Sequence, residues 1–239
     1  MTATTPREAT APAKSTRGFL RDNALSLFFG LLFLLALGGQ AAAGWADLNN
    51  RLHTDGFPPM PFGRYVTSAD FAVDVAENWQ SEYLQFFLYI VATIYLIQRG
   101  SSESKDPGKE GRESDEEQLI GAYAKPGSPA WARIGGWRTA LYSRSLGLVM
   151  GILFLLSWLA QSIAGRAAFN ADQLRQREDP VSWLSYVSSA DFWNRSLQNW
   201  QSELLAVASM AILAIYLRER GSPESKPVGA PHDATGSES

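Results

Sequence analysis

The chain repeats itself. Shifted by 121 residues, positions 27–105 align with 148–226 without a gap, and about four in ten of them are identical. The matched pieces include Gln40 with Gln161, YVTSADF with YVSSADF, NWQSE with NWQSE, and RGSSESK with RGSPESK. Each unit holds two apolar stretches, so whatever the first unit folds into, the second should repeat. Any fold for this chain has to be built twice.

The apolar stretches decide the class. Ala24–Ala43 carries no charge over about 20 residues, which at 1.5 Å per residue spans a hydrocarbon layer of about 30 Å. Three further stretches, Asn78–Leu96, Leu146–Ala164 and Asn199–Leu217, have similar length, the second and fourth with one Glu near the start. The expected fold is all-α: an integral membrane four-helix bundle made of two tandem, parallel two-span repeats. An even number of spans per unit makes the second unit enter from the same side as the first, so the repeat axis should lie along the membrane normal, unlike inverted-repeat transporters. The expected organisation is a disordered tail (1–23), the first repeat (24–105), a disordered linker (106–130), an interfacial segment with the second repeat (131–226), and a disordered tail (227–239). The polar, mixed-charge run Ser101–Gln118 lacks apolar periodicity, as a tether does. After it, Trp131, Trp137 and Tyr142 interleave with Arg133, Arg138 and Arg144, as in a segment at headgroup level.

Charge gives orientation. The two tails and the central segment carry fifteen of the 21 Lys and Arg, the loops between spans six, so both termini are expected in the cytoplasm. A basic start (Lys14, Arg17, Arg21), an apolar run and Ala41–Ala43 also fit a cleaved secretory signal. The repeat argues for retention, because Gln161-Ser-Ile-Ala-Gly closes the third stretch in the same way. A net charge of -3 leaves no broad basic field for nucleic acid. With no cysteine and two isolated histidines, disulfides, thiolate catalysis and a metal site have no basis, and no cofactor is expected.

In YVTSADF and YVSSADF a Thr or Ser precedes an Asp by three, Thr67 with Asp70 and Ser188 with Asp191, which predicts helix starts near 68 and 189. Beyond each start, Asn78, Ser81 and Glu82 fall on one helical stripe, repeated as Asn199, Ser202 and Glu203. A carboxylate facing lipid costs about 2.5–3.5 kcal/mol, so Glu82 and Glu203 should face inward, be protonated or reach the interface. Gln40 and Gln161 end the preceding spans at similar depth. Two polar clusters are therefore expected near the repeat axis, Gln40 with Asn78 and Glu82, and Gln161 with Asn199 and Glu203. Trp79 and Trp200 are expected as interface anchors. Arg99-Gly100 and Arg220-Gly221 read as helix stops, a basic last turn followed by glycine.

The ENWQSEYLQ and RGSSESK blocks and the two-span duplication resemble a family of uncharacterised bacterial multi-span membrane proteins, a domain of unknown function. The resemblance implies a bacterial inner membrane location and brings no activity. From the residues themselves, the first expectation is a structural or partner-binding membrane protein, in contact with the bilayer and with further copies or another membrane protein. The second is a small proton or cation pathway using an outward-facing Glu pair. An enzyme is not expected, since no His, Cys or metal-ligand constellation accompanies the carboxylates.

Overall fold

The computed structural model describes residues 16–236, and among them all regular structure is helical. The expected amino-terminal tail lies outside the described residues up to position 15, as do residues 237–239. Nine α-helices follow in order among the described residues: α1 Thr16–Asp22, α2 Ala24–Thr54, α3 Phe62–Tyr65, α4 Ala69–Tyr95, α5 Ala130–Ile134, α6 Gly136–Tyr142, α7 Ser145–Arg175, α8 Trp183–Val187 and α9 Ala190–Tyr216. The duplication is visible as α2–α3–α4 and α7–α8–α9, whose members have nearly the same lengths. The chain divides into two compact units, one up to Thr67 and one from Ser68 onward.

Two helices, α2 and α7, are long and apolar enough to cross a membrane. The sequence expectation of four such spans is thus met by only half of them. The reason lies in α4 and α9, each 27 residues long but with the polar NWQSE block in its first half. Their apolar remainders, from Tyr83 and from Leu204, run only about 20 Å at 1.5 Å per residue.

Both repeats bend the chain back with the same clasp. In the first unit, the Asn49 amide brackets Met60, donating to its carbonyl at 3.1 Å and accepting from its N–H at 2.6 Å. In the second unit, Asn170 does the same to Val181, at 3.1 and 2.9 Å. The turn then sets a buried tyrosine against a glycine of the long helix, Tyr65 on Gly44 and Tyr186 on Gly165. A Cβ on either glycine would overlap the tyrosine hydroxyl. Glycine is there because of that close approach.

The helix starts come one residue later than the Thr67 and Ser188 caps expected from sequence. Ser68 and Ser189 are the N-caps, and each accepts from the N–H three residues on, Phe71 and Phe192, at 3.3 Å. The Thr67 hydroxyl is already committed to the carbonyls of Gly63 and Arg64 behind it, and Ser188 closes α8 as its C-cap. Asp70 and Asp191 remain in the first turn, where the helix dipole favours them.

In the second unit α4 lies antiparallel along α7, with Gly147 against Ile90 and Gly151 against Phe87. The buried stripe of α4 is Val73, Ala76 and Gln80, at i, i+3 and i+7. A helix of the first repeat therefore packs on a helix of the second, and α9 lies against α4 as well. Aromatic rings fill the space around Trp158, which stacks on Phe154 and Phe192 and meets Trp193 and Trp200 at centroid distances of 5.9 and 5.6 Å.

The RGSxESK copies build one loop twice. Gly100 and Gly221 both turn with φ near +87°. The Ser104 hydroxyl accepts from Gln98 N–H at 2.9 Å and the Ser225 hydroxyl from Glu219 N–H at 3.0 Å. Each motif lysine then reaches a carbonyl six residues on, Lys105 to Gly111 and Lys226 to His232, both at 3.1 Å. Position 111 or 232 in turn covers an open carbonyl in the last turn of the preceding helix: Gly111 N–H donates to Ile94, and His232 Nδ1 lies 3.0 Å from the Ile215 oxygen. The helix stop expected from sequence is therefore the start of a folded cap. The expected linker, 106–130, contains turns and one short 3-10 helix, Gly121–Tyr123.

Candidate functional site

The motif residues sort themselves into those that bond within their own helix and those that cross. Asn78 donates to the Asp74 carbonyl and Asn199 to the Arg195 carbonyl, each four residues back. Ser81 and Ser202 donate to the carbonyls three residues back. Short polar side chains in a helix find the nearest carbonyl first. Glu82 is exposed, Glu203 is half-buried, and the two carboxylates lie close enough to repel.

The crossing is made by the other two letters of the motif. Trp200 Nε1 on α9 donates to Gln80 Oε1 on α4 at 2.6 Å. Gln80 is 0% exposed, and its amide nitrogen donates to the Glu77 carbonyl at 3.1 Å, so both ends of a buried amide are satisfied. Trp200, expected as an interface anchor, belongs to the ring cluster around Trp158; its counterpart Trp79 is exposed, as is Gln201. The two copies of one motif thus play different parts.

One turn before the motif lies a charged junction that sequence reading did not single out. Arg195 of α9 has Nη1 3.0 Å from Glu77 and 3.9 Å from Asp74, both on α4, and Nε 3.7 Å from Asp191 on its own helix. Tyr186 Oη, wholly buried, donates to Asp191 at 3.2 Å. Burial pushes the Glu77 carboxyl above its usual range, and Arg195 only partly offsets it. Burial, reinforced by Asp191, likewise raises the Tyr186 hydroxyl. Glu77, Asp191, Asn194, Arg195, Gln198 and Asn199 line an open depression of about 410 Å³. A signal for this junction was present in the repeat itself. Asp74 and Arg195 occupy equivalent positions, so one copy carries an anion where the other carries a cation. The opposite charges at these equivalent positions help hold α9 against α4.

Gln161 stands apart. It is 0% exposed and neither amide atom has a hydrogen bond, so it is not joined to Asn199 or Glu203 as expected. Gln40 belongs to the first unit and is half-buried there. Asn78 and Glu82 belong to the second.

At the other end of α4 and α9 the two RGSxESK caps interlock. Lys226 is 1% exposed, and the three N–H groups of its ammonium are shared among four carbonyls within hydrogen-bond distance, those of Gly100, Pro231, His232 and Ala234. Burial holds it below the ordinary lysine range, with Arg218 adding to the effect. Gly100 N–H donates to Thr235, Gly236 N–H to the Ser101 carbonyl, and the Ser102 hydroxyl to the Glu224 carbonyl. Residues 227–236, expected as a loose tail, are thus laid across the first motif. Among the described residues no group of His, Asp and Glu is arranged to hold a metal.

A family model described as Domain of unknown function (DUF6766) matches residues 16–237. No curated protein and no solved structure matches the chain.

Proposed function

The chain belongs to that family, and from its own residues we propose a structural or partner-binding protein of the bacterial inner membrane, with four spans in two parallel repeats and both termini cytoplasmic. It is not an enzyme in this reading, and its partners are the bilayer and another copy or a second membrane protein. One observation carries the proposal: polar groups of the two repeats are spent on each other, Gln80 on Trp200 and Arg195 on Glu77. Such pairing fixes helix register in an apolar setting and is worth about 1 kcal/mol per bond. The shorter apolar runs of α4 and α9 complete their spans with the NWQSE turns at headgroup level, where polar side chains are tolerated.

The second reading is a proton or cation pathway. It is favoured by the approach of Glu82 to Glu203, since like charges held together tend to share a proton or take up a cation. Ion flux in proteoliposomes separates the two. The structural reading expects no flux above that of empty liposomes, and lower thermal stability in Gln80→Leu. Flux that disappears in the Glu82→Gln, Glu203→Gln double variant would replace it with the pathway. Orientation is tested separately, because the chain has no cysteine of its own. A thiol placed by Asp55→Cys should label from the outside, and one placed by Glu116→Cys only after permeabilisation.

A further inference from the structure

Helices α5 and α6 form a small rigid knuckle immediately before α7. Gly135, at φ +78°, breaks the chain between them, and Thr139 ties the break: its hydroxyl accepts from Gly135 N–H at 2.9 Å and donates to the Trp131 carbonyl at 2.5 Å. Trp131 and Trp137 meet edge to face at 6.3 Å. The knuckle keeps its largest apolar groups outside. Trp137 is 69% exposed, and Trp131, Ile134, Leu141 and Tyr142 are exposed too. Five such groups on two short helices are an unpartnered apolar face.

Charge says what covers that face. Arg133, Arg138 and Arg144 are exposed among these rings, and none of them is ion-paired with a described residue. The Arg138 guanidinium sits 5.5 Å from the Trp137 ring centroid. From Gln118 to Ala171 the sequence has no Asp or Glu at all. A protein partner would more often offer mixed charge, whereas an anionic leaflet offers phosphates above an apolar layer. That layering matches guanidinium groups set among indoles. Only two residues separate α6 from α7, a helix long and apolar enough to cross a membrane, so a bilayer spanned by α7 would bring its headgroups level with the knuckle.

We propose that α5 and α6 are a docking surface for anionic phospholipids of the cytoplasmic leaflet, with Arg133, Arg138 and Arg144 on the headgroup phosphates and the tryptophans at the acyl boundary. The proposal rests on the membrane reading above. Each arginine near such a surface strengthens attraction by about fivefold, so the three together give roughly a hundredfold preference over a neutral bilayer, weakened by salt.

The test uses the whole chain in nanodiscs with one fluorophore, on a thiol introduced by Ala140→Cys in the knuckle or by Leu155→Cys within α7. Quenching by brominated phosphatidylglycerol is compared with quenching by brominated phosphatidylcholine at the same mole fraction. At position 140 the anionic lipid should quench severalfold more steeply, and the excess should fall with added salt and in the Arg133→Gln, Arg138→Gln, Arg144→Gln variant. The salt response of the chain with its arginines intact stands even if that variant folds poorly. Equal quenching by the two lipids at 140, with quenching retained at 155, overturns the docking surface and leaves the membrane reading standing. Loss of the excess on adding inorganic phosphate at constant ionic strength overturns it in favour of a free-phosphate site. No quenching at 155 by either lipid overturns the membrane reading and the surface with it.

Discussion

At the residue scale the geometry turns on a few contacts that a single atom can upset. A methyl group on Gly165 would overlap the Tyr186 hydroxyl, so Gly165→Ala should cost about 1–3 kcal/mol, the usual range for overpacking. Tyr186→Phe removes the overlapping oxygen together with its bond to Asp191, worth about 1 kcal/mol. The two changes should therefore be less than additive, as thermal unfolding of both singles and the double in detergent will show. Glu77 makes a pH prediction. Burial raises its folded-state pKa, so its proton is held more tightly in the folded chain than in the unfolded one. The stability this contributes is fully present below the unfolded value of about 4.3 and is lost as pH rises through the raised folded value. Glu77→Gln should thus gain on the wild type as pH is taken from about 4 to 7. A constant difference in melting temperature across that range would contradict the assignment. Arg195→Gln leaves Glu77 buried without its partner and should cost about 1–2 kcal/mol at neutral pH, between the exposed and buried limits for ion pairs.

At the element scale, the caps after α4 and α9 behave as one piece. The Lys226 ammonium sits among four carbonyls, one of them from the first motif, so Lys226→Met should free residues 227–236 while the long helices stay folded. Hydrogen exchange should quicken by at least about tenfold at Gly100 and Gly236, with little change in the interior of α7. The sequence shows RGSxESK twice but not what the lysine binds, because its acceptors are backbone carbonyls and any residue supplies those. Similarly, Asn49 and Asn170, which clasp Met60 and Val181 from the last turns of α2 and α7, lie beyond the apolar stretches, and nothing in their local pattern tells what they bind. The NWQSE stripe shows the opposite limit. Periodicity put Asn, Ser and Glu on one face, yet Asn and Ser were close enough to their own helix carbonyls to be satisfied there.

At the scale of the whole molecule, the second unit is assembled from parts of both repeats, since α4 packs along α7 and beside α9. Cutting the chain between them should therefore not separate it. Fragments 1–118 and 119–239, made together as two chains, should co-purify and melt as one species, and failure to associate would mean that α4 does not need the second repeat. The duplication, the long helices α2 and α7, the helix-start serines to within one residue, and the glycine stops all follow from local pattern: apolar length, spacing and turn chemistry act over a few residues. Which copy of a repeated residue is used is not a local matter. Gln80 is buried and Gln201 exposed, and Trp200 bonds to Gln80 where Trp79 is exposed, although their sequence surroundings are nearly the same. Identical segments come to differ only when packing gives them different neighbours, Gln80 reaching across to Trp200 and Trp200 lying among Phe154 and Trp158 of α7, and that placement is set by tertiary contacts. The sequence by itself thus determined the repeated helical plan. The tertiary structure decided how the copies divide the work, which side chains join them, and that the charged junction at Arg195 exists at all.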